Sequence, residues 1–210
     1  MTVRVLIADD HAVMRDGLRA LLRTERDIDI VGAAEDGRDA VRLACELAPN
    51  VVVMDISMPG LNGIEATREI RRRCPSTAVI MLSMHSTSEH VYRAFEAGAS
   101  GYLLKKRAGA EVAVAVRTVS HGRHFTSPGL AGPHAGGDSH ASPISRLTRR
   151  ERQVLQLVVE GRSSSEIAEL ILLSPKSVET YRSRLMAKLG VADMPALVKF
   201  ALHHGLTSLD

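Results

Sequence analysis

Through residue 120 the chain alternates between short apolar runs and longer stretches in which apolar side chains return every three or four positions. The runs at 3–8, 28–34, 51–54, 78–82 and 101–104 are short and largely apolar, so they predict strands. Val51-Val52-Val53-Met54 is apolar without alternation, the pattern of a strand buried on both faces. Between the runs, residues 11–25 place Met14, Leu18, Leu21 and Leu22 at helical spacing, and 37–47, 62–73, 86–97 and 110–120 repeat that pattern. Five strand-then-helix units predict a parallel sheet covered by helices on both faces, because each parallel crossover needs a returning segment.

From His121 to Ser145 the period dissolves into segments such as Ser127-Pro128-Gly129 and Gly132-Pro133-His134-Ala135-Gly136-Gly137. Such composition buries too little apolar surface to order itself, so 122–145 is expected to be a flexible linker. Its histidines lack the paired spacing of a metal site. Order resumes at Leu147. Thr148-Arg149-Arg150-Glu151 and Ser163-Ser164-Ser165-Glu166 both have the hydroxyl-x-x-Glu spacing of a capping box, and Ser174-Pro175 supplies a third helix start. A fourth helix follows Gly190-Val191-Ala192-Asp193 and ends near His204-Gly205. The chain thus divides into an α/β domain over 1–121, the linker, and an all-α four-helix domain over 146–210.

Composition adds less. The net charge of +3 is modest, but the first domain is about neutral and the excess falls after Ser145, a weak pointer to phosphate backbones. No apolar run is long enough to cross a membrane and the start runs directly into a strand, so a soluble cytoplasmic protein is expected. Cys45 and Cys74 have no CxxC or His/Cys ligand spacing and read as reduced thiols rather than a disulfide or zinc site.

Chemistry gathers at the strand ends. Parallel strands deliver their C-termini to one edge, where open sheets form their sites. Asp9-Asp10 follow the first strand, Asp55 the third, Ser83 the fourth and Lys105 the fifth. Three converging carboxylates repel unless a cation sits among them, and oxygen ligands suit Mg²⁺. A nucleophilic carboxylate, a divalent ion, a hydroxyl and a fixed ammonium together suit phosphoryl transfer. Taken singly, a strand-end Asp is usually a cap, a Lys is solvated and a Tyr is core. Five coincident positions favour the site.

These residues, with Met58-Pro59-Gly60 and Gly98-Ala99-Ser100-Gly101-Tyr102-Leu103-Leu104-Lys105, resemble the receiver domain of bacterial two-component response regulators. The resemblance implies a flavodoxin-like five-stranded sheet of order 2-1-3-4-5. It implies Asp55 as phosphoacceptor, Asp10 and Asp55 as direct Mg²⁺ ligands, Asp9 as a ligand through water, and the Ser57 backbone carbonyl as a further ligand. Ser83 and Lys105 would read the phosphoryl group, with Ser83 and Tyr102 acting as the switch. No turnover beyond the domain's own phosphorylation and dephosphorylation is implied.

The third helix of the second domain sets Val178, Tyr181, Leu185 and Leu189 at core spacing and Lys176, Glu179, Thr180 and Ser183 on another face. Alone this is an ordinary solvated face as readily as a base-reading one. The segment as a whole resembles the LuxR-type helix-turn-helix through Leu147-Thr148-Arg149-Arg150-Glu151, Glu166-Ile167-Ala168, Ser177-Val178-Glu179-Thr180 and Lys188-Leu189-Gly190-Val191. Together the halves resemble a NarL/FixJ-type response regulator. The resemblance puts the third helix in the major groove, with Glu179, Thr180 and Ser183 toward bases and Lys176, Arg182, Arg184 and Lys188 toward phosphates. Tyr181 stands where the family commonly has His, and Ser164-Ser165 replaces a frequent Asn-Lys. A sensor histidine kinase, double-stranded promoter DNA and a second copy of the chain on phosphorylation are the implied partners, and a promoter-bound regulator can also meet RNA polymerase. Two other classes compete. A haloacid-dehalogenase-like phosphatase also uses a strand-end Asp, but Ser57 stands where it needs an acid. A receiver that docks without phosphorylation would not need the complete site.

Overall fold

The computed structural model describes residues 2–130, 143–204 and 206, and the chain separates into two compact units, 1–137 and 138–210. In the first, β1 (Val3–Ala8), β2 (Ile28–Ala34), β3 (Val51–Asp55), β4 (Ala78–Ser83) and β5 (Gly101–Leu104) alternate with α1 (Ala12–Arg23), α2 (Gly37–Leu47), α3 (Gly63–Arg73), α4 (Ser88–Glu96) and α5 (Ala108–Ser120). A 3-10 turn, Lys105–Arg107, leads into α5. Every residue of β3 is buried, as expected for the central strand of a sheet covered on both sides. The pleat of β1 divides the core: Leu6 packs with Met54, Ile70, Ala40 and Val91 toward α2, α3 and α4. Val5 and Ile7 pack with Leu18, Leu22, Val112 and Val116 toward α1 and α5.

The sheet order is β2-β1-β3-β4-β5-β6, parallel throughout. The sixth strand corrects the expected five: β6 (Phe125–Thr126) pairs with β5 inside the segment read as linker. Gly122, at φ 74°, turns the chain after α5. The Phe125 amide then donates to Ser100 O at 3.1 Å and the Ser127 amide to Tyr102 O at 3.0 Å. Ser127 is buried, accepting from the Leu104 amide at 3.1 Å and donating to Glu111 Oε2 on α5 at 2.6 Å. The expected linker therefore does not begin at 122. Its residues 131–142 lie outside the described part of the chain.

The second unit opens with a 3-10 turn, Pro143–Arg146, whose Ile144 is buried in the core although it too fell within the expected linker. Then come α6 (Arg149–Val159), α7 (Ser164–Ile171), α8 (Pro175–Leu189) and α9 (Met194–His203). Both expected capping boxes form, Thr148 with Glu151 and Ser163 with Glu166, and Ser174 caps α8 through the Ser177 amide. Val154, Leu155, Ile167, Val178, Leu185, Leu197 and Ala201 make the core. Among the described residues no helix is long and apolar enough to cross a membrane.

Candidate functional site

Because all strands of the sheet are parallel, the groups at or just past the C-terminal ends of β1, β3, β4 and β5 share one edge. Asp9 is fully buried, Asp55 nearly so, and Lys105 Nζ stands 3.0 Å from Asp9 Oδ2 and 3.0 Å from Asp55 Oδ1. Asp9, Asp10, His11 and Asp55 each offer a ligand atom, and these atoms lie within 4.8 Å of one another. Asp55 Oδ2 is buried without a hydrogen-bond partner. A buried, unsatisfied carboxylate oxygen among hard oxygen donors fits Mg²⁺. Asp9, Asp10 and Asp55 would hold the ion.

The electrostatics follow from burial. Burial pushes Asp55 up to about 7; Lys105 pulls it down, while Asp9 and Asp10 push it further up. For Lys105 burial works downward, but Asp55 and Asp9 hold its ammonium above the ordinary value. Asp10, bonded to His11 Nδ1 at 2.7 Å, raises the His11 pKa, against the opposing effect of burial.

The backbone around these groups is fixed from several sides. The Ile56 amide donates to Leu82 O at 3.1 Å and Ile56 O accepts from the Gly63 amide at 2.9 Å, which bounds the loop carrying Ser57. A Cβ at Gly63 would lie 2.0 Å from Asp55 O, and one at Gly37 would lie 2.0 Å from Leu61 O, so only bare backbone fits at these approaches. On the opposite flank Arg15 donates to Asp9 O at 2.8 Å and Asp10 O at 3.1 Å while pairing with Glu35 at 2.6 Å. Neither Arg15 nor His11 was expected from the sequence. The adjacency of His11 to the acid pair was its one visible signal.

Ser83, one residue past the register partner of Asp55, accepts from the His85 amide at 3.0 Å. Tyr102 is fully buried, and its hydroxyl donates to His85 O at 2.9 Å. Burial pushes the Tyr102 phenol up to about 12, with the Ser83 hydroxyl beside it pulling the other way. The two expected switch residues thus grip the same β4–α4 loop from either side.

In the helical unit α7 ends at Leu172, a left-handed residue at φ 55°, and the chain turns within three residues into α8. Lys176, Glu179, Thr180, Ser183 and Arg184 are exposed and Arg182 is half-buried. Thr180 Oγ1 donates to Lys176 O at 2.9 Å, so its remaining acceptor capacity and its methyl face outward. Lys188 differs from the expectation. Its Nζ is 2.7 Å from Glu151 Oε2, a carboxylate buried at the start of α6. Burial would raise the Glu151 pKa, but Lys188 and the Thr148 amide and hydroxyl hold it below the usual range. A cleft of about 510 Å³ beside this pair is lined by Thr148, Arg149, Arg150, Tyr181 and Arg184. Arginines around a helix N-terminus suit a backbone phosphate.

Residues 5–117 match the family model described as response regulator receiver domain, and residues 145–201 match bacterial regulatory proteins, luxR family. The chain is similar to the transcriptional regulatory protein LiaR of Bacillus subtilis, 38% identical over 98% of this chain and 100% of that one. It is 37% identical to the response regulator UvrY of Escherichia coli over 99% of this chain and 97% of that one. Among solved structures, the RcsB response regulator of Salmonella typhimurium aligns at 29% identity with a TM-score of 0.59, covering 95% of this chain and 97% of that one. A structure of the RcsB–DNA complex aligns at 28% identity and a TM-score of 0.57 over 97% of this chain and 99% of that one. With a receiver-type acid pocket in one unit and a capped helix-turn-helix in the other, the chain belongs to the NarL/FixJ-type two-component response regulators.

Proposed function

We propose that this DNA-binding response regulator is switched by phosphorylation of Asp55, with Mg²⁺ as cofactor. The observation that supports the reading is the convergence of Asp9, Asp10 and Asp55 at one edge, with the Lys105 ammonium held between Asp9 and Asp55. An Asp55 carboxylate oxygen attacks the phosphorus of a phosphohistidine on a sensor kinase, the P–N bond breaks, and the imidazole leaves. Asp9, Asp10 and Asp55 would hold Mg²⁺, which would supply charge neutralisation on the transferring group. Lys105 exchanges part of its contact with Asp55 for a phosphoryl oxygen, and Ser83 donates its hydroxyl proton to another. As the Ser83 side chain turns toward that oxygen it moves away from the His85 amide, and Tyr102, which holds the same loop through His85 O, follows the loop.

The phosphorylated form favours a dimer that grips two half-sites of promoter DNA. On α8, Glu179, Thr180 and Ser183 face bases, while Lys176, Arg182 and Arg184 face phosphates; the RcsB–DNA complex among the aligned structures supports this use of the domain. RNA polymerase is a further partner at the promoter, and the cytoplasm is the compartment in which kinase and DNA are both met. The protein turns over no substrate other than its own phosphoryl group.

The test is incubation with Mg²⁺ and acetyl phosphate or phosphoramidate followed by intact mass measurement. One phosphoryl mass should be gained, and Asp55→Asn should abolish it. Sustained hydrolysis of small phosphoesters would move the protein to the phosphatase class. A wild-type chain that gains no mass would leave a docking module.

A further inference from the structure

We propose that Cys45 and Cys74 are a peroxide-responsive thiol pair that closes to a reversible disulfide, clamping α2 to the end of α3. The two sulfurs lie 2.9 Å apart although the residues are 29 positions apart in the chain. That separation is closer than an ordinary sulfur hydrogen bond and within a small rotation of the bonded distance of about 2.05 Å.

Their supports are rigid. Cys74 follows the last turn of α3, its amide bonded to Ile70 O at 2.7 Å and its carbonyl to the Thr77 amide at 3.0 Å. Its side chain packs against the core on that face of the sheet. Cys45 sits in the last turn of α2, and the segment after that helix is tied to the one after α3 by the buried Thr77 hydroxyl, which donates to Pro49 O at 2.9 Å, and by the Ala78 amide, which donates to Asn50 O at 2.9 Å. The segments that follow the two helices are already fixed to each other, so what bridging has to close is the remaining gap between the sulfurs.

The sulfurs also differ in the way a sensing pair requires. Cys45 is exposed and Cys74 half-buried, so a soluble oxidant reaches Cys45. Burial and the neighbouring Cys45 push the Cys74 thiol up to about 11, with Arg73 working weakly the other way. Cys74 therefore keeps its proton until the second step. The Cys45 thiolate attacks one oxygen of hydrogen peroxide; the O–O bond breaks, giving a Cys45 sulfenic acid and hydroxide, which takes a proton to become water. Cys74 sulfur then attacks Cys45 sulfur; the S–O bond breaks, and the departing hydroxide leaves as water with the Cys74 proton. Two electrons pass from the sulfurs to the peroxide, and a dithiol reverses the step by exchange. The closed loop contains β3, Asp55 and all of α3, so oxidation restrains the phosphoacceptor strand within a covalent ring.

The test uses the full chain, one equivalent of hydrogen peroxide, alkylation of remaining thiols under denaturing conditions, and non-reducing peptide mapping. The expected product has lost two hydrogen masses, takes no alkylating label, shows a peptide joining Cys45 to Cys74, and regains both thiols with dithiothreitol. Its first unfolding transition should move up by roughly 5–10 °C. Cys45→Ser should abolish both the cross-link and the thermal shift, and so should Cys74→Ser. Full labelling of both thiols after peroxide, sulfinic acid without a cross-link, or a cross-link between two chains would each overturn the proposal. None of these readouts depends on phosphorylation, so failure here and failure of the phosphoacceptor reading are separable.

Discussion

A carboxyl that burial holds at about 7 against an ordinary 3.8 makes the fold pay when it ionises. The folded state binds the proton more tightly than the unfolded one. The cost is therefore absent below the unfolded pKa and complete above the folded one, so stability contributed by this group falls as pH rises from about 4 to 7. With chelator present to keep divalent ions away, Asp55→Asn should stabilise the first unit, by about 2–4 kcal/mol at pH 8 and much less at pH 4.5. Urea midpoints at the two pH values measure the difference. A gain that is the same at both would mean that relief of crowding, not of charge, was responsible. Lys188 makes the second residue-scale case. Removing its ammonium leaves Glu151 buried without its cation, so Lys188→Ala should destabilise the helical unit by about 1–3 kcal/mol while leaving the salt dependence of DNA binding unchanged. Lys176, exposed on the α8 face, should do the reverse: Lys176→Ala keeps the fold and lowers the salt slope by about 1. Titrations of binding against salt concentration for the two variants separate the roles.

At the scale of elements, β6 shows where pattern ran out. The first five strands were legible because runs such as Val51-Val52-Val53-Met54 are apolar, β-branched and bounded by turn residues. Phe125-Thr126 is two residues long between His124 and Ser127-Pro128, with nothing for a period to act on. It forms because β5 offers open main-chain groups and Ser127 finishes the job, linking the Leu104 amide to Glu111. Ser127→Ala should cost about 1–3 kcal/mol and speed amide exchange at Leu104, beside Lys105; unchanged exchange there would show that water replaces the hydroxyl without loss. The strand-end residues Asp9, Asp10, Asp55, Ser83 and Lys105 were readable for one reason: parallel order brings every such end to a common edge. Arg15 depends instead on how α1 is rotated about its axis, and the Cys45–Cys74 meeting on how two helices align, neither of which a single helix pattern encodes. The resemblance puts Lys188 toward phosphates, but a helix pattern does not encode its pairing with Glu151, which is set by the packing of α6 on α8.

At the scale of the molecule, two units with separate cores should unfold as separate transitions, so each variant above has its own reporter. The order of the units, strand-and-helix first and four helices second, was plain from strand runs and caps; the frontier between them was not, because β6 and Ile144 take up chain that composition alone assigns to neither. That misplaced frontier carries a practical warning. A truncated protein ending at residue 121 strips the cover from β5 and bares Ser100 O, Tyr102 O and the Leu104 amide, which β6 and Ser127 engage in the intact chain. An uncovered flank of this kind is cohesive. Such a fragment should self-associate in sedimentation experiments with no phosphodonor present, whereas one ending at residue 130 should not. Equal sedimentation of the two would absolve the exposed flank; unequal sedimentation means that oligomers of the shorter piece are an artefact of where it was cut, and say nothing about signalling.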